Sequence, residues 1–183
     1  MKLLPIAFAA VTALCAFTTQ AQNAANLNAA LASESRAQAD RDADARRKPA
    51  ETLDFFGIGP GMMVVDLIAS GGYFTEVLAN AVGPRGKVYM QNAPSALEGE
   101  RGARTEEAIN TRLAGGRLAN VERLNRDASD LGLPANSLDA AVIALEYHEL
   151  FRSADPDAEM KFLNEMKRVL KSGGILGVID HAG

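Results

Sequence analysis

The chain has no tryptophan, a single cysteine and two histidines. One cysteine excludes a disulfide framework within the chain. No close-spaced set of metal ligands stands out either, so no metal is expected. Internal repeats are absent. No apolar run is long enough to span a membrane: residues 3–17 are apolar but broken by Pro5 and Thr12, and polar residues follow abruptly. Basic charge is also short. There are 19 Lys and Arg against 23 Asp and Glu, a net charge of −4, which argues against a general nucleic-acid binder or an anionic-membrane binder.

Residues 1–21 have the pattern of a secretory signal. Lys2 supplies the positive start, the apolar run follows, and Thr19-Gln20-Ala21 carries small residues where a signal peptidase reads. Cleavage is expected after Ala21, giving a periplasmic or secreted protein. Residues Thr12-Ala13-Leu14 before Cys15 do not form a good lipoprotein box, so no stable membrane anchor is expected. Cys15 leaves with the signal, and the mature chain can sit in an oxidising compartment without thiol chemistry. What remains suits one domain.

Residues 22–45 read as a flexible or helical leader. The first part is rich in Ala, Asn and Gln and reads as disordered or fraying; the second carries Glu34, Arg36, Asp40, Arg41, Asp42 and Asp44, read mostly as a solvated face. The domain itself is placed at 46–183. Pro49 is well suited to open a short helix that Gly57 stops. Apolar runs at 63–67, 87–90, 121–124, 138–145 and 175–179 predict five strands. Helical spacing predicts helices at 73–82, 96–114 and 156–170. Strands alternating with helices mean parallel βαβ units in an α/β fold, with helices on both faces of the sheet. In such a sheet, ligands gather at the carboxyl ends of the strands.

The run Val64-Val65-Asp66-Leu67-Ile68-Ala69-Ser70-Gly71-Gly72-Tyr73 reads as a strand, a small-residue turn and a helix start. Small residues let backbone approach a ligand, and the helix offers free N–H groups. Taken together with G-K-V-Y-M-Q-N, R-D-A-S-D-L-G-L-P and F-L-N-E-M-K-R-V-L-K-S-G-G-I-L-G-V-I-D-H, in that order, it resembles the class I S-adenosylmethionine-dependent methyltransferases. With F-F-G-I-G-P-G-M before the first strand and Y-H-E-L after the fourth, it is most similar to exported bacterial methyltransferase-like proteins.

The resemblance implies a Rossmann-like parallel sheet of order 3-2-1-4-5. It implies S-adenosyl-L-methionine as cofactor, with Asp66, Ala69, Ser70, Gly71 and Gly72 around its methionine portion. Gln91 and Asn92 stand where an acid usually holds the ribose, and Asp127 and Ala128 would meet the adenine. Glu146 and His148 would border the transfer site. Three departures from the family pattern stand out. Ile68 and Ser70 occupy turn positions that are usually glycine. Amides replace the ribose acid. The resembling proteins also continue past residue 183, so terminal strands 6 and 7 are expected to be missing and strand five to be an exposed apolar edge prone to self-association.

His148 and His181 fall just past the ends of strands four and five, which that order makes neighbours. An imidazole there can take a proton from a polar nucleophile, so His148, His181 and Glu146 are the catalytic candidates. Two functions fit: a methyltransferase acting on a small molecule, or a non-catalytic relative that binds a nucleoside-like ligand or a protein.

Overall fold

The computed structural model describes residues 25–150 and 152–181. The expected signal, residues 1–21, lies outside the described residues. Residues 25–31 are helical, and Leu27 and Leu31, one helical turn apart, are buried in the core. The leader is therefore ordered there. Its alanines conceal two leucines on one face, a spacing too sparse to register as periodicity.

Helix α1 (Gln38–Arg47) buries no residue fully. It ends because Pro49 denies Lys48 the right-handed helical conformation. Lys48 turns left-handed instead, at φ 45° and ψ 53°, and α2 (Pro49–Phe55) sets off with Pro49 in its first turn.

The sheet follows the expected alternation. Strands β1 (Met63–Leu67), β2 (Lys87–Asn92), β3 (Val121–Asn125), β4 (Leu138–Ala144) and β5 (Leu170–Ile179) lie in the order β3-β2-β1-β4-β5. All neighbours are parallel: Val64 pairs with Val88 and Ala140, Val88 with Val121, and Ala141 with Leu176. Helices α3 (Tyr73–Val82), α4 (Gly99–Leu113) and α5 (Ala158–Val169) connect them. A 3-10 turn at Pro94–Leu97 takes up the start of the helix expected from residue 96. β5 begins earlier than expected: Leu138 pairs with Leu170 and Ala140 with Ile175, so residues 171–174 bulge out of the ladder.

Alternation along the strands builds two cores. Val64, Val88, Ala140 and Val142 face α2 and α3 through Leu53, Phe74, Val77 and Leu78. Val65, Leu67, Ala141 and Ile143 face α5 through Phe162, Met166 and Val169. Each fully buried large side chain contributes about 1.5–3 kcal/mol. At the edge, Gly177 lets the ring of Phe56 close on β5; a Cβ there would come within 2.7 Å of that ring. Among the described residues β5 pairs only with β4, and Val178 is exposed.

Candidate active site

The turn after β1 is held in an unusual shape. Ile68, Ser70 and Gly72 all have positive φ, at 50°, 50° and 84°. Only glycine adopts this region freely, and a β-branched residue there is strained. The end of β2 holds the turn in place. Gln91 Oε1 accepts from the Ile68 N–H at 2.8 Å, and the Gln91 carbonyl from the Ala69 N–H at 2.8 Å. Asn92 Oδ1 accepts from the Ser70 N–H at 2.8 Å, and Asn92 Nδ2 donates to the Ser70 carbonyl at 3.3 Å. Gln91 Nε2 donates onward to the Arg126 carbonyl at 2.5 Å. Both amides are buried and committed to backbone groups. The two amides expected beside the ribose thus also brace the turn.

A cavity of about 340 Å³ opens at this turn. It is lined by residues 66–74, by 144–146 after β4, and by Asp40, Arg47 and Arg112. It sits at the carboxyl ends of the central strands. A larger recess of about 730 Å³, at Gly83, Gly86 and Asn120, lies at the amino ends of β2 and β3. We place the site at the smaller one, because parallel α/β sheets bind ligands at their carboxyl ends.

Asp66 forms part of the cavity wall yet is almost wholly buried. Burial pushes its carboxyl up to about 7, against the Thr75 hydroxyl, the Thr75 N–H and the charge of Arg112. The Thr75 hydroxyl donates to Asp66 Oδ2 at 2.5 Å.

Behind the turn lies an ion network that the sequence did not reveal. Glu76, fully buried on α3, pairs with Arg112 and Arg117. Arg112 also pairs with Asp40 at 2.7 Å and donates from Nε to the Gly71 carbonyl at 2.7 Å. Arg36, only 2% exposed, pairs with Asp44 at 2.5 Å, and the Tyr73 hydroxyl donates to Asp44 at 2.6 Å. The charges at 34–44, read mostly as a solvated face, therefore include three inward-facing members, Arg36, Asp40 and Asp44, and Arg47 joins them from the end of α1. A signal was present: Glu76 sits between Phe74, Val77 and Leu78, where a carboxylate needs basic partners.

On the other side of the cavity, β4 is followed by Leu145, also at positive φ, whose N–H donates to the Ile179 carbonyl at 2.7 Å. Glu146 lines the cavity and is partly buried. The turn Tyr147–Leu150 then presents His148 to β5. His148 Nδ1 lies 2.9 Å from Asp180 Oδ1, and its main-chain N–H donates to Asp180 Oδ2 at 2.9 Å. Its Nε2 lies 3.0 Å from Glu149 Oε1. Partial burial works to raise the Asp180 carboxyl, but the N–H groups of His181 and His148 and the His148 ring hold it below the ordinary carboxylate range. The rings of His148 and His181 lie with centroids 6.0 Å apart, so the structure brings the two histidines together. It does not bring Asp127 and Ala128 into the cavity. Asp127 is exposed past the end of β3, and Ala128 packs against the α5 core. Among the described residues no group of three or more His, Cys, Asp or Glu is placed to hold a metal ion.

The methyltransferase domain model matches residues 57–178. A ubiquinone/menaquinone biosynthesis C-methyltransferase of Ectopseudomonas mendocina is 29% identical over 130 residues, covering 70% of this chain and 45% of that protein. The corresponding enzyme of Hahella chejuensis is 30% identical over 129 residues, covering 70% and 47%. The chain thus spans a little under half the length of these curated relatives. Among solved structures, a SAM-dependent methyltransferase from Aquifex aeolicus superposes with a TM-score of 0.59 at 32% identity, over 72% of this chain and 63% of that one. A SAM-dependent O-methyltransferase from Thermotoga maritima, at 20% identity and TM-score 0.53 over 72% and 43%, shares the fold. The turn after β1, the order of the sheet and the matched domain agree: the chain belongs to the class I S-adenosylmethionine-dependent methyltransferase family.

Proposed function

We propose that this chain binds S-adenosyl-L-methionine at the carboxyl ends of β1 and β2 and transfers its methyl group to a small molecule held beside His148. The observation that carries the reading is the cavity built on the β1 turn, whose wall reaches Glu146, two residues before His148 and its contact with Asp180. The cavity suits the charged end of the cofactor, since it carries carboxylates at Asp40, Asp66 and Glu146 and guanidinium groups at Arg47 and Arg112. The cofactor supplies an electrophilic methyl group on a sulfonium. The chain's residues do the rest. Residues 69–72 position the methionine portion, and Asp127 and Ala128 border the path of the adenosine portion. His148, with Nδ1–H donating to Asp180, accepts the proton of an oxygen, nitrogen or activated carbon nucleophile at Nε2. Glu149, exposed and shared with Arg152 at 2.9 Å, is the neighbour that such a nucleophile displaces. His181 and Glu146 flank that position. Catalysis rests mainly on positioning, with a smaller share from proton transfer.

The C-methyltransferase relatives support a small, electron-rich acceptor. At that identity they do not carry the quinone itself across. Labelled-methyl transfer into pooled small-molecule acceptors, compared between wild type and His148→Ala, tests the assignment. Full transfer by a folded His148→Ala protein would return His148 to a structural role.

A second reading rests on the strained turn. Ile68 and Ser70 at positive φ, with Gln91 and Asn92 committed to backbone, favour a protein that binds a nucleoside-like ligand without turnover. Binding without transfer, across a broad acceptor set, would select it.

Export with cleavage after Ala21, and self-association through the open side of β5, complete the proposal. The sequence of residues 1–21 supports the first; the exposure of Val178 and of Phe55, 85% exposed near that edge, supports the second. Neither part of the proposal involves nucleic acid.

A further inference from the structure

We infer that Arg47 receives the carboxylate of an amino-acid-bearing nucleoside, which makes helix α1 part of the binding site; this rests on the reading of the cavity as an S-adenosylmethionine site. Five charged side chains line that cavity, and four of them fall into place without Arg47. Arg112 is taken up by Asp40, Glu76 and the Gly71 carbonyl. Asp40 is taken up by Arg112, and Asp66 by the Thr75 hydroxyl. Glu146 stands at the mouth.

Arg47 differs. Its Nε is buried with no hydrogen-bond partner, and its guanidinium makes no ion pair among the described residues. It is nonetheless held in place. Its guanidinium carbon lies 4.2 Å from the centroid of the Tyr73 ring, and Tyr73 is itself fixed through Asp44. A stacked guanidinium with unused donors, on the wall of a cavity, is poised for a planar anion; its fork matches the two oxygens of a carboxylate. The acid nearby gives the ligand its second requirement. A bare anion would be repelled by Glu146, whereas a zwitterion places its cationic centre toward Glu146 and its carboxylate on Arg47. An α-amino acid group on a nucleoside has that pattern of charge.

The test compares two ligands by calorimetry on the full chain. S-Adenosylhomocysteine carries the amino acid group; 5′-methylthioadenosine keeps the adenosine and the thioether and lacks it. Arg47→Gln is expected to weaken S-adenosylhomocysteine by about ten- to a hundred-fold, the range for losing a hydrogen bond to a charged group, and to leave methylthioadenosine within about two-fold. Arg47→Lys, which keeps charge without the fork, should fall between. Equal weakening of both ligands would mean that Arg47 acts only by holding Tyr73, and would overturn the assignment. So would an unchanged ratio in Arg47→Gln while the wild type binds S-adenosylhomocysteine. A wild-type chain that binds neither ligand overturns the cofactor reading, and this assignment with it.

Discussion

Asp180 grips His148 twice, by the ring at Nδ1 and by the main-chain N–H, both at 2.9 Å, across a sequence separation of 32 residues. One carboxylate thus holds both the ring and the path of the loop after β4. Removing it should do more than remove a charge. We expect Asp180→Asn to lower methyl transfer, and His148→Ala to lower it further, by about 100-fold, the scale of general-base assistance. His181→Ala should matter less, since Asp180 holds His148 rather than His181 by its ring. Single-turnover rates with saturating cofactor measure this; equal rates for all three variants and wild type would remove the dyad from the mechanism.

The same pair should give the loop a pH dependence. The Asp180 carboxyl is held low, so its contribution is present above the ordinary carboxylate range, near 4, and is lost as pH falls through the lower folded value. The protection of the His148 N–H against hydrogen exchange, taken relative to a free amide at the same pH, should fall in that acid range and vary little with pH in Asp180→Asn. A flat profile in the wild type would break the link.

Asp66 works with the opposite sign. Its folded pKa, about 7, lies above the unfolded value, so the native state holds the proton more tightly. Stability from this group is greatest below about pH 4 and declines as pH rises to about 7, by at most about 1.4 kcal/mol for each pH step of one in between. Denaturant midpoints of wild type and Asp66→Asn, measured from pH 4 to 8, should converge at the acid end and separate toward neutrality with Asn the more stable. Parallel curves would show that Asp66 titrates normally.

Ser70 sits at φ 50°, and its hydroxyl makes no hydrogen bond among the described residues. Ser70→Gly should raise stability by about 0.5–1 kcal/mol, the strain relieved less the added freedom of the unfolded chain. It should leave cofactor affinity equal or better. Ile68→Gly is a poorer test, because Ile68 also packs against the α5 core. A Ser70→Gly protein with a lower urea midpoint would show that the turn tolerates serine without cost.

Much of the fold could be read from the sequence because punctuation and period agree there. Gly83-Pro84 closes α3 and Gly86 opens β2, and the β4 run is apolar throughout but for Asp139, as a strand buried on both faces requires. The proximity of His148 and His181 followed from topology, since each stands just beyond one of two neighbouring strands. What escaped was pairing at long range. Nothing periodic announces that Asp40 meets Arg112 or that Arg36 and Asp44 meet near Glu76. The inward turn of Gln91 and Asn92 escaped for a related reason. An amide at a strand end can serve a ligand or a backbone, and only the three-dimensional position of the β1 turn decides which.

The central claim is that the cavity at the β1 turn is a cofactor site, and ligand-dependent stability tests it most directly. A ligand at 100 times its dissociation constant stabilises the native state by about 2.7 kcal/mol. For a chain of this size that corresponds to a rise in melting temperature of roughly 5–10 °C. The account predicts such a rise with S-adenosylhomocysteine, reduced in Arg47→Gln. No shift at any millimolar concentration, in a chain that unfolds cooperatively, would contradict it.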